Sequence, residues 1–184
     1  MVGLQPVDEP EDIFAHYRQT PIGILLEYQN FGREFQKYIQ PQLLVGTCMD
    51  YRIQLRIPPR FAYILRSGGA NMRSNDFYIS YAISMGGISS IALIGHTQCA
   101  MADAASKRAD FVKGMMVNAG WDERSAEVYF DQNAQLHQVG VEIEFIINEA
   151  RRLQRLFPGV CVAPLLYKVE DLRLYLIIDN EIQM

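Results

Sequence analysis

The chain has 184 residues, 49% of them apolar and 21% charged, with a net charge of −4 and a pI near 5.4. That is enough chain for one domain, residues 1–184, with a full core, and the acidic balance excludes nucleic acid as the expected main partner. The longest apolar stretches, such as "IALIG" and "LYLII", are far too short to span a bilayer, so no membrane partner is expected.

The first forty residues read as a helical arm. "DEPEDIFAHYRQ" puts acids in a first turn, and "PIGILLEYQNFGREFQKYI" carries apolar residues at roughly helical spacing before Pro41. Two short apolar runs, "QLLVGT" and "FAYILR", suit buried strands. "SNDFYISYAISMG" has a Ser/Asn start, helical spacing and a glycine stop, and predicts a helix. "SSIALIG" is a third strand. From Met101 to about Phe157 the chain reads as helical, with breaks near Gly114, Gly120 and Gly140. "GVCVAPLLYKV" and "LRLYLII", separated by "EDL", predict a closing antiparallel hairpin. This alternation argues for an α/β fold. It predicts a mainly parallel central sheet flanked by helices, with the N-terminal helical arm at one end of the chain and an antiparallel edge strand at the other.

In such sheets ligands bind beyond the carboxyl ends of the strands. "QLLVGT" delivers Cys48, Asp50 and Arg52 there, and "SSIALIG" delivers His96 and Cys99 in "HTQC". Each half alone has a bland reading: Cys48 as a small buried hydrophobe, His96 as a satisfied loop histidine. Together, each directly after a strand, two thiols and an imidazole make a zinc set with a fourth position left open. Asp50 can then either bind the metal or pair with Arg52, against the bland reading of a surface ion pair. "RSGGAN" is a tight glycine loop, whose simplest reading is a turn.

Three cysteines (48, 99 and 161) cannot all pair within one chain. The acidic N-terminus has no basic-then-apolar signal pattern. Both features suggest a reducing, cytoplasmic setting.

"CMDYR" and "GHTQC", separated by "RSGGA" and "YAISMGG", resemble the β-class carbonic anhydrases, which carry Cys-x-Asp-x-Arg, then a glycine-containing loop, then His-x-x-Cys. The likeness runs from about Gln40 to the hairpin, where "LLYKVEDLRL" is similar to the family's closing segment. It implies Zn2+ on Cys48, His96 and Cys99, and Asp50 with Arg52 as a dyad that orients the nucleophile. It also places Gln40, Gly68, Gly69 and Tyr81 around the substrate pocket. The activity implied is reversible hydration of CO2 to bicarbonate and a proton by zinc-bound hydroxide. A homodimer or higher homo-oligomer held by the 1–40 arm is implied as well. The chain departs from the pattern at Tyr51, Ser67, Ala100 and Lys168, and "EDL" lacks the usual Thr-Gly turn. Hydrolysis of CS2 or COS on the same zinc site, or an inactive structural paralogue, are the alternatives. A thiol redox protein lacks a Cys-x-x-Cys motif and leaves His96 unexplained.

Overall fold

The structure, a computed structural model, describes residues 2–179. A six-stranded sheet forms its centre, in the order β1-β6-β5-β4-β2-β3. The strands are β1 (Gly3–Gln5), β2 (Leu43–Cys48), β3 (Ala62–Ser67), β4 (Ser90–His96), β5 (Cys161–Lys168) and β6 (Arg173–Ile178). The pairs β2–β3, β2–β4 and β4–β5 are parallel, whereas β5–β6 and β1–β6 are antiparallel. Five helices flank the sheet: α1 (Pro21–Asn30), α2 (Asp76–Gly86), α3 (Arg108–Ala119), α4 (Glu123–His137) and α5 (Glu142–Leu156).

Every residue of β2 and β4 is buried, as expected of parallel strands covered on both faces. Because side chains alternate across a strand, Leu43, Val45, Ala92, Ile94, Ala163 and Leu165 join the core beneath α1. Leu44, Ile91, Leu93 and Val162 join the core beneath α2 and α5. Gly95 permits the close approach of α5, since a Cβ there would lie 2.5 Å from Ile146 Cγ1.

The α/β fold and the mainly parallel sheet are as the sequence predicts, with two corrections at the ends. The last strand is antiparallel but is not an edge, because β1, which the sequence reading missed, pairs along its outer side. The first forty residues hold one α-helix, not a helical arm. Residues 10–12 form a single 3-10 turn, and α1 ends at Asn30, before Gly32 at φ 66°. Nor does this segment stand away from the body. Ile22, Leu25 and Leu26 are fully buried against the sheet, and each contributes about 1.5–3 kcal/mol on burial. Further along, Gly120 and Gly140 adopt positive φ at helix ends, whereas Gly114 lies inside α3 and breaks nothing.

Candidate metal centre

β2 and β4 are adjacent and parallel, with Thr47 opposite Ile94, so both chains leave the sheet at the same edge. Cys48 closes β2, His96 closes β4, and Cys99 follows after a tight turn. The two Sγ atoms and a ring nitrogen of His96 lie within 4.8 Å of one another, and all three residues are buried.

The histidine is oriented for ligation. Its Nδ1 lies 3.0 Å from the Thr97 carbonyl oxygen. A carbonyl only accepts, so Nδ1 carries the proton and Nε2 the free lone pair. Nε2 is buried and, among the described residues, has no hydrogen-bond partner. A buried polar atom without a partner costs about 1–3 kcal/mol, and here it faces two thiols. The Cys99 thiol, then His96 and the backbone N–H groups of Asp50 and Gly69, pull the Cys48 thiol well below its usual range despite burial. Cys99 is pushed the other way, by the same contact with Cys48 and by burial. Burial would lower the His96 pKa, but Cys48 and Asp50 outweigh it and the net shift is upward. Two sulfurs and one nitrogen in this closeness fit zinc, which prefers such mixed tetrahedral sets.

Asp50 stands beside the group without joining it. Its Oδ2 is 3.9 Å from His96 Nε2 and takes a hydrogen bond from Arg52 Nη2 at 2.7 Å. Oδ1 accepts from Arg52 Nε at 3.0 Å and from the Arg52 backbone N–H at 2.9 Å. The Arg52 side chain is the main reason the carboxyl is held down at about 2, against the opposing effect of burial. A shallow cavity lined by Tyr51, Arg52, Gln98 and Glu170 opens on this side.

The glycine loop reaches the centre from β3. Gly69 donates its N–H to Cys48 Sγ at 3.2 Å and adopts φ 61°. A Cβ on Gly69 would come within 2.4 Å of Val139 Cγ1, and one on Gly68 would meet Met101 Cγ at 3.3 Å. Gln40 and Tyr81 are not brought in: both are exposed in the single chain. Tyr51 is 90% exposed, so its bulk does not narrow the centre. Phe61 is fully buried in the core beneath α1, and Cys161 is a half-buried free thiol.

Sequence reasoning missed three supporting residues. Glu142 Oε1, at the start of α5, accepts the Cys99 N–H at 3.2 Å. Gln98 and Glu170 support the Thr97–Gln98 turn. Only the sheet register, which sets His96 opposite Tyr167, could have brought Glu170 to this turn.

No protein-family model matches the chain, and no curated protein matches it. Solved structures do. A β-carbonic anhydrase isoform from Trichomonas vaginalis superposes with a TM-score of 0.59 at 18% identity, over 80% of this chain and 88% of that one. The chain has the fold of the β-carbonic anhydrases. A carbonic anhydrase from Glaciozyma antarctica gives a TM-score of 0.56 at 19% identity, over 86% and 96% of the two chains. A carbon disulfide hydrolase gives 0.53 at 20% identity, over 73% and 79%. Within this β-carbonic anhydrase fold, the Cys48–His96–Cys99 group sits where β2 and β4 end. No helix among the described residues is long and apolar enough to cross a membrane.

Proposed function

We propose that this protein is a zinc-dependent enzyme that reversibly hydrates CO2 to bicarbonate and a proton. The observation that carries the reading is the unpartnered, buried Nε2 of His96 facing Cys48 and Cys99, with an ionised carboxylate 3.9 Å away. Cys48, His96 and Cys99 hold the metal. Zinc supplies Lewis acidity, bringing the pKa of water at its open position to about 7.

The remaining roles belong to the protein's own groups. Asp50, paired with Arg52, is a carboxylate at neutral pH, so it accepts a hydrogen bond from the nucleophile and does not act as an acid. Arg52 fixes the direction of that acceptor through its two-point contact. The Gly69 N–H spreads the charge of the Cys48 thiolate, and the Thr97 carbonyl keeps the proton on His96 Nδ1. Gln40 and Tyr81, exposed in one chain, join the pocket when a second copy covers them. Free thiols in the ligand set fit a reducing, cytoplasmic compartment.

The test is stopped-flow CO2 hydration in mildly alkaline buffer, with zinc quantified, beside a Cys48→Ala control. Fast turnover that disappears in the control supports the reading. Stoichiometric zinc without turnover refutes it and favours a second reading, hydrolysis of CS2 or COS, which is motivated by the likeness to carbon disulfide hydrolase and assayed by sulfide release.

A further inference from the structure

The β5–β6 turn departs from the family pattern at Lys168 and at Asp171 and Leu172, where the usual Thr-Gly is missing, and it carries Glu170 between them. Both oxygens of Glu170 are spent on the turn between two of the metal-ligand candidates. Oε2 accepts from Thr97 Oγ1 at 2.8 Å, and Oε1 accepts from Gln98 Nε2 at 2.8 Å. Thr97 Oγ1 in turn accepts the Val169 N–H at 3.1 Å. Gln98 adopts φ 57°, a left-handed conformation that a non-glycine residue keeps only when its surroundings enforce it.

Gln98 is also where Arg52 is anchored. Its carbonyl accepts from Arg52 Nη2 at 2.9 Å, and its side-chain oxygen accepts from Nη1 at 3.3 Å. The same Nη2 reaches Asp50. The hairpin tip is itself fixed: Leu172 donates its N–H to the Lys168 carbonyl at 2.9 Å, and Tyr175 donates its hydroxyl to Asp171 at 2.6 Å. The Lys168 ammonium sits 4.0 Å from the centre of the Tyr175 ring. A chain of directed contacts therefore runs from Glu170 through Gln98 and Arg52 to Asp50, and it passes between His96 and Cys99.

We propose that Glu170 is a positioning residue. It locks the Thr97–Gln98 turn, and through that turn it sets both the spacing of His96 and Cys99 and the angle at which Arg52 presents Asp50 to the metal. This rests on the metal reading of Cys48, His96 and Cys99. Glu170 touches none of these three itself and works through the turn. With the lock removed, Gln98 relaxes from its left-handed conformation and Arg52 loses the anchors that hold it on Asp50.

Glu170 is exposed on a hairpin turn, so Glu170→Ala should fold. The experiment measures zinc affinity by chelator competition and the visible ligand-field spectrum of the Co2+-loaded protein. Wild type, Glu170→Ala and Glu170→Gln are compared, with thermal melting alongside. Glu170→Ala should weaken zinc about 10- to 100-fold, the usual scale for losing an outer support of a ligand, and should alter the cobalt bands. Glu170→Gln, which keeps an acceptor oxygen, should recover most of both. A lowered melting temperature with unchanged affinity and unchanged bands would make Glu170 merely structural and overturn the proposal. Neither readout needs turnover, so a wild type that binds zinc but does not hydrate CO2 refutes only the proposed function. A wild type that binds no metal overturns both.

Discussion

Arg52 grips Asp50 at both carboxylate oxygens, with Nη2 2.7 Å from Oδ2 and Nε 3.0 Å from Oδ1. The pair sits beside the centre, with the Asp50 side chain only 11% exposed. Asp50→Asn would remove the charge and one accepting oxygen while leaving the three candidate ligands intact. We expect kcat to fall about 10- to 100-fold with zinc content unchanged. Arg52→Lys should give a similar loss, because an ammonium cannot reproduce the two-point contact. Assays on metal-quantified protein decide it, and full turnover in Asp50→Asn removes Asp50 from the mechanism.

Gly69 is fixed by two constraints at once. Its φ of 61° disfavours any side chain, and a Cβ there would meet Val139 Cγ1 at 2.4 Å. Gly69→Ala should therefore destabilise the fold by about 1–3 kcal/mol, the cost of overpacking a filled site. It should also weaken metal binding by moving the N–H away from Cys48 Sγ. Denaturant titration read beside chelator competition would reveal both, and an alanine variant with wild-type values would show that the loop tolerates a side chain.

Glu149 ties the end of the glycine loop to α5. It is 2% exposed, accepts the Met72 N–H at 3.2 Å, and pairs with Arg152 at 2.8 and 2.9 Å. Arg152 also holds Asp76, at 2.8 and 2.9 Å. Glu149→Ala leaves a buried N–H without an acceptor and a guanidinium short of one partner. We expect a loss of about 3 kcal/mol, the lower end for breaking a buried pair, since Arg152 keeps Asp76. A loss under about 0.5 kcal/mol, the scale of an ordinary surface change, would show that the network relaxes freely.

The strands that carry the candidate ligands were legible because parallel strands buried on both faces read as short, mainly apolar runs, as "LLVGTC" and "SIALIGH" do. Their carboxyl ends then gave Cys48, Asp50, Arg52, His96 and Cys99. The N-terminus misled for the opposite reason. Its apolar residues serve one surface from an irregular path, so Val7, Ile13 and Tyr17 are buried without a helix to space them. β1 is three residues long and exists only because β6 offers an edge. Glu142 and Glu170 look like ordinary surface acids in the sequence, since their partners lie 43 and more than 70 residues away.

Acid should act on α4 through its cap. Asp122 accepts the Ser125 N–H at 2.9 Å and its hydroxyl at 2.6 Å, and the Ser125 side chain is the main cause of a pKa below the ordinary carboxylate value. A group whose folded pKa is depressed contributes stability that is fully present above its unfolded pKa, near 3.8. That contribution is lost as pH falls through the folded value. Asp122→Ala should thus unfold more easily than wild type at neutral pH, with the gap closing below about pH 3.8. A gap of equal size in acid would mean that the hydroxyl and N–H contacts do not depend on the charge.

The surface left for a second copy lies on α2 and β3. Phe77, Tyr78, Tyr81 and Met85 on α2 are all more than half exposed, and Tyr63 on β3 is exposed beside them. Tyr63 packs over Gly86, where a Cβ would lie 2.7 Å from its ring, so the two elements form one apolar face. The outer side of β3 is also an open sheet edge. Apolar patches of this kind mark interaction sites on soluble proteins. We therefore expect light scattering to give at least twice the 21.0 kDa chain mass. A Phe77→Glu, Tyr81→Glu double variant should return it to a folded monomer. Leu25→Glu should behave differently: Leu25 is fully buried against the sheet of its own chain, so a charge there unfolds the protomer before it can separate two of them. If Leu25→Glu gave a folded monomer and the α2 variant stayed dimeric, the interface would belong to the N-terminal segment.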